Sequence, residues 1–170
     1  MNKMVNCYYV KVNRREWKYP WPNGQPTDWD NFPLNKEQDF RSFTKNKLYW
    51  KSLKIGNIII GHSSYISTKI KGEDKFMPLP RISAIAIVTR EEHYSDASES
   101  DRVTLKKVIE LTPIKLTKDI IKKNKLSNAE PFRLGTNRYT ITKLSNEDFQ
   151  NIVKIIEEFN PSIKKELKKL

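Results

Sequence analysis

The chain has 170 residues, 37% hydrophobic, 31% charged and 11% aromatic, with a formal net charge of +12. That is the length of one domain with enough apolar material for a core, and the aromatic share excludes a disordered chain. The basic balance favours a polyanionic partner, nucleic acid first. A single cysteine, Cys7, excludes an internal disulfide. Together with an N-terminus that lacks a signal-peptide pattern, it points to a cytoplasmic chain. No apolar run approaches the roughly 18 residues of a membrane-spanning helix.

Residues 5–12, VNCYYVKV, are rich in aromatic and β-branched side chains and read as a first strand, with Cys7 a buried small hydrophobe. Residues 17–32, WKYPWPNGQPTDWDNF, hold three of the four tryptophans. Their prolines and glycine allow only an irregular loop. Pro33 and Asn35 announce a helix reaching about Leu53, with Asn35 as cap, Gln38 completing a capping box and Trp50 facing the core. A turn at Gly56 leads into a short buried strand at 58–60. Gly61, His62, Ser63, Ser64 and Tyr65 end it.

Residues 66–80 form a long polar connection carrying Lys69, Lys71 and Lys75. Residues 82–89, ISAIAIVT, suit a central strand packed on both faces. Residues 90–101 are acidic and polar and read as a loop, with Tyr94 its only large aromatic. Residues 103–111 alternate as a half-buried strand in which Lys107 breaks the pattern, and Thr112 and Pro113 end it. Thr117 caps a short helix, and residues 139–144 form a last strand. Ser145 caps a helix with Asp148 three residues on, built on Phe149, Ile152, Val153 and Ile156 and stopped by Pro161. The elements predict an α+β fold around a small curved sheet or barrel of five or six strands with about three helices. It fills residues 1–160. The Lys-rich tail, 161–170, is a linker to a further domain or a frayed helix.

Catalytic chemistry finds little footing. Metal sites need clustered His, Cys or carboxylates; there is one cysteine and two separated histidines, His62 and His93. No glycine-rich phosphate loop occurs. Cys7 has no histidine placed near it by a local motif, and Ser63 lacks a nucleophile-elbow pattern. Glu73, Asp74 and Lys75 superficially match nuclease carboxylates plus lysine, yet they sit in a loop without the rigid frame such a site needs. The expectation is a binding module with no metal, cofactor or catalytic residue, and a small nuclease is the least favoured alternative. Aromatics on loops beside a polar strand end can form a slot for a flat ring, where stacking is worth roughly 1–3 kcal/mol per base. Lys and Arg around it would hold phosphates.

The order of elements resembles the PUA-like superfamily, particularly its EVE and YTH branches. The segments that carry the likeness are YYVKV; NKLYWKSLKIGNIIIGHSS, a helix, turn and strand ending in His-Ser; ISAIAIVTREEHYSD; and the C-terminal half from Val103 to Ile156. The Trp-rich stretch and residues 66–80 look longer than in compact EVE domains. The resemblance implies recognition of a modified base in an aromatic pocket. By position, Trp29 matches a pocket tryptophan and Tyr94 lies where a second aromatic arrives. His62, Ser63 and Ser64, with Tyr65 beside them, match the pocket floor, while Asp30 and Asn31 could bond a base edge. Lys69, Lys71, Lys75, Arg81, Arg90, Arg133 and Arg138 are candidate backbone contacts. The implied function is modified-base recognition, DNA favoured over RNA, as the specificity module of an McrBC-type modification-dependent restriction system. The alternative is an RNA-binding PUA-like domain of tRNA or rRNA metabolism. Which modification is read, and whether the base is flipped, stay open.

Overall fold

A computed structural model describes residues 5–13, 29, 32–41, 47–64, 81–96, 99–133 and 140–170. In chain order they form β1 (Cys7–Asn13), β2 (Glu37–Arg41), α1 (Lys47–Ser52), β3 (Ile58–Ser64), β4 (Arg81–Ser95), β5 (Ser100–Lys115) and α2 (Lys118–Lys123). Then come β6 (Ile141–Leu144), α3 (Asn146–Phe159), a 3-10 turn (Pro161–Ile163) and α4 (Lys164–Leu167). The strands make one curved sheet in the order β2-β5-β4-β3-β1-β6. β1 and β3 are parallel, and every other pair is antiparallel. This is the α+β architecture around one curved sheet that was expected, with β2 and β6 as open edges among the described residues. No described helix is long and apolar enough to cross a membrane.

Both faces of the sheet are covered, so the central strands need apolar residues at consecutive positions. On one face Cys7, Tyr9, Ile58, Ile60, Ile85 and Ile109 pack under Ile152, Ile155 and Ile156 of α3. On the other, Tyr8, Val10, Ile59, Ala84, Ala86 and Leu105 pack under Trp29, Phe32, Trp50 and Leu53. The alanines of β4 make room for those large rings. Two helix caps form as their spelling predicts. Ser145 Oγ accepts from the Asp148 amide at 3.1 Å, and Thr117 Oγ1 accepts from the Ile120 amide at 3.2 Å.

Three expectations are corrected. The helix expected from Asn35 to Leu53 is instead a turn, strand β2 and the short α1. Asn35 has φ of 60°, a left-handed conformation that asparagine tolerates in turns. Its amide donates to the Lys107 carbonyl at 2.8 Å. Gln38 and Phe40 alternate inward while Glu37 faces out, and pairing with β5 selects this period-two reading over the capping box. Residues 90–101, expected as a loop, are largely strand. β4 and β5 stay paired out to Ser95 and Ser100. The arm extends past the start of β3, so its outer positions lack an apolar alternation although the backbone ladder continues. Finally, β5 runs through Thr112 and Pro113 to Lys115. The register slips there, with Ile82 opposite Ile114 but Ala84 opposite Glu110, so a residue without an N–H fits the interrupted ladder. Asn160, at the end of α3, bonds the Thr112 amide at 2.7 Å and its carbonyl at 3.2 Å.

Lys107, out of pattern in the sequence, is 1% exposed. Its ammonium donates to the Trp29 and Phe32 carbonyls at 3.0 and 2.9 Å and faces Glu110 Oε1 at 3.4 Å. A charge that deep is tolerable because oxygens surround it. The clamp fixes Trp29, whose ring stacks on Phe40 with centroids 5.0 Å apart and whose Nε1 donates to the Val10 carbonyl at 3.1 Å. Below that ring lies Gly61, where any Cβ would come within 2.7 Å of Trp29 Cε2. Gly61→Ala is expected to lose about 1–3 kcal/mol of unfolding free energy in denaturant melts, as overpacked cores do. Adding Trp29→Phe should recover part of that loss. An additive double variant would contradict the contact.

Candidate nucleic-acid interface

The parallel pair brings the carboxyl ends of β1 and β3 together: Lys11 is opposite His62, Val12 opposite Ser63 and Asn13 opposite Ser64. β4 enters beside them with Arg81 opposite Ser63, and β6 enters on the other flank with Thr142 opposite Tyr9. Four strands therefore contribute side chains to one end of the sheet. The connections out of β1, from β3 to β4, and into β6 all attach there. Residues on such connections, held by a rigid sheet, are the usual carriers of binding.

Tyr9 is the centre of the cluster. Its ring centroid is 5.4 Å from that of His62 and 5.3 Å from that of Phe132, the latter edge-on at 74°. Burial and then the nearby Lys11 charge lower the His62 imidazole from 6.5 to about 3, so it is neutral at physiological pH. The Lys11 ammonium donates to the Pro131 carbonyl at 2.7 Å, and burial lowers it to about 8, leaving it mostly charged at pH 7. Burial also holds the Tyr9 phenol well above its usual range. Ser63 and Ser83 share a hydroxyl hydrogen bond of 3.4 Å, where β4 bulges between Ile82 and Ala84. Tyr9 Oη, His62 Nδ1 and Thr142 Oγ1 are buried with no hydrogen-bond partner. Among the described residues, no group of three or more His, Cys, Asp or Glu side chains is arranged to hold a metal ion.

Of the residues expected at the base pocket and its rim, the sheet brings together His62, Ser63, Ser64, Arg81 and Arg133. Arg133 follows Phe132, with its guanidinium 3.8 Å from Glu130. Trp29 is not an open wall. It is 0% exposed, in the core on the face away from Tyr9, because Lys107 and the Val10 carbonyl hold it inward. Tyr94 is corrected too. It lies thirteen residues along β4 from Arg81, about 40 Å of strand at ~3.3 Å per residue. At 60% exposed, it projects from the opposite end of the sheet. Arg90 lies on that same far arm, opposite Thr104. Asp30, Asn31, Tyr65, Lys69, Lys71, Lys75 and Arg138 fall outside the described residues, as do Trp17, Trp21, Glu73 and Asp74.

Tyr9, Lys11, Phe132 and Thr142 were not singled out from sequence. A signal existed: Tyr9 and Lys11 are two apart in a strand and share a face, and a lysine inside an otherwise apolar strand asks for a reason. Charge is uneven along the sheet. Lys11, Arg81 and Arg133, with Glu130 beside the last, stand at the cluster end, while Glu91, Glu92, Asp96, Glu99 and Asp101 outnumber Arg90 and Arg102 on the far arm.

His62 gives a pH test. Its folded value of about 3 lies below its ordinary 6.5, so between those values the unfolded chain binds the extra proton. Stability is then full above about pH 6.5 and falls as pH drops toward 3, by up to about 1.4 kcal/mol per pH unit. Denaturant melts from pH 7 to 4 should show a shallower acid limb for His62→Asn than for the parent chain. Equal slopes would contradict a buried neutral imidazole.

No protein-family model and no curated protein sequence matches the chain. Its fold does match solved structures. A hypothetical protein from Leishmania major superposes with a TM-score of 0.64 at 12% identity, covering 91% of this chain and 96% of that one. The human THYN1 protein, solved in complex with DNA containing 5-methylcytosine, gives a TM-score of 0.64 at 13% identity over 90% of this chain and 98% of that chain. The DUF55 domain of human thymocyte nuclear protein 1 gives 0.61 at 14% identity, over 89% and 98%. Across nearly its whole length, this chain has the fold of those proteins.

Proposed function

We propose that this is a non-catalytic DNA-binding module of the EVE type that recognises a modified base at the carboxyl ends of β1 and β3. The observation that carries the reading is the joining, at one sheet end, of buried neutral hydrogen-bonding groups with the cations Lys11, Arg81 and Arg133. A base extruded from a duplex needs hydrogen bonds for its edge and an aromatic or apolar surface for its face. His62, Ser63 and the Tyr9–Phe132 pair are of those kinds. The flanking phosphates need positive charge, and the chain carries a net +12. The shared fold with human THYN1, solved with 5-methylcytosine DNA, supports the same class of ligand. In this reading the module supplies specificity to a modification-dependent restriction system, the role implied by the McrBC resemblance. Lys69, Lys71, Lys75 and Arg138 are proposed as further phosphate contacts.

The test is a binding panel of 5-methylcytosine-containing and unmodified oligonucleotides, DNA and RNA, at a stated salt concentration. Modified duplex DNA should bind at least about tenfold tighter than unmodified duplex, a difference of about 1.4 kcal/mol. The weaker affinity for plain duplex should fall log-linearly with salt. Arg133→Gln should weaken both duplexes alike and lower the salt slope by roughly one. Preference for RNA over both duplexes would overturn the DNA reading in favour of an RNA-binding domain.

A further inference from the structure

We propose that Tyr9, His62 and Thr142 together read the hydrogen-bonding edge of a neutral nucleobase, an assignment that rests on the modified-base reading above. Folded interiors satisfy the great majority of their buried polar groups, and an unsatisfied one costs stability. Here three such atoms, Tyr9 Oη, His62 Nδ1 and Thr142 Oγ1, come from three adjacent strands. Tyr9 is directly opposite Thr142 on β6, and its ring meets that of His62 on β3. Tyr9 and Thr142 are fully buried. Elsewhere such atoms are scattered, as with Trp50 Nε1 on α1 and Glu92 Oε1 on the far arm of β4.

The trio has no structural return in the fold itself. Phenylalanine for Tyr9 and valine for Thr142 would fill nearly the same space in an apolar surrounding of Cys7, Ile60 and Leu144 without leaving a polar atom unpaired. What the three groups have in common is chemical. Each hydroxyl can donate and accept, and a neutral imidazole offers one donor and one acceptor. None carries a fixed charge. That set matches the alternating donors and acceptors of an uncharged base edge and does not match a phosphate, which calls for cations or several N–H donors. Of the cations at this end, Lys11 is directed to the Pro131 carbonyl. Its place is beside the base, toward the phosphates that flank it.

Two variants of the full chain test the assignment: Tyr9→Phe and Thr142→Val, each measured for thermal midpoint and for affinity. The probes are duplexes carrying one 5-methylcytosine, one 5-hydroxymethylcytosine, one N6-methyladenine or none, at fixed salt. The parent chain should prefer one modified probe. Each variant should melt higher, by roughly 2–4 °C, and lose about tenfold in affinity for that probe alone, with plain duplex unchanged. If the parent discriminates and the variants discriminate equally well, the assignment falls and the modified-base reading stands. A lower melting point, or equal loss on modified and plain duplex, shows the hydroxyls to be structural and also overturns the assignment. A parent chain that prefers no modified probe overturns the modified-base reading and the assignment with it.

Discussion

The parallel register of β1 and β3 is the constraint on which the rest of the molecule depends. In a sheet otherwise made of antiparallel pairs, it carries both strands to their ends at the same edge of the fold. Lys11 meets His62 for that reason alone. Had β3 run the other way, its Gly-His-Ser-Ser end would lie across the sheet from the end of β1. Antiparallel β4 and β6 then enter where β1 and β3 leave, which adds Arg81, Ser83 and Thr142 to the same place. The site is a product of topology, assembled from segments that are far apart in sequence.

The two faces divide the work. The face under Trp29 is a packed aromatic core, held by a buried lysine bonded to two carbonyls and by a glycine that leaves space for an indole. Trp50 Nε1, on α1, is a buried polar atom there without a partner. The face under α3 is equally apolar along most of its length but changes character at the Tyr9 end. There, polar atoms are buried without partners and the imidazole is held neutral. Ordinary packing physics accounts for the first face. The second departs from it at one location, and departures of this kind concentrate where a protein binds something.

Much of the fold was legible in the sequence because its strongest signals are local. The near-continuous apolar run of β4 reported burial on both faces, the aromatic and β-branched residues of β1 reported a strand, and the Ser145 and Thr117 caps are spelled out in residues three apart. The errors arose where two local signals share the same letters or where pairing acts at a distance. Asn35 and Gln38 spell a capping box, yet Gln38 and Phe40 also alternate, and only the partner strand β5 decides. The far arm of β4 and β5 has no apolar period because its outer end buries little, so it reads as loop. At the candidate site, the sequence showed His62, Ser63 and Ser64 closing a strand, and they do close β3. Tyr94 sits in residues of loop-like composition, yet β4 carries it to the other end of the sheet. The burial of Trp29 is not legible because nothing local reveals that Lys107, 78 residues on, bonds its carbonyl. Tyr9 and Thr142 gain meaning only through the β1–β6 register.

The central claim is that nucleic acid meets this fold at the carboxyl ends of β1 and β3. It is tested most directly by mapping backbone amide chemical shifts of the isotopically labelled chain during titration with a 5-methylcytosine duplex. The account requires the largest changes at Tyr9, Lys11, His62, Ser63 and Thr142, with the arm around Tyr94 unmoved. Shifts centred on that arm, or spread evenly over the sheet, would contradict it.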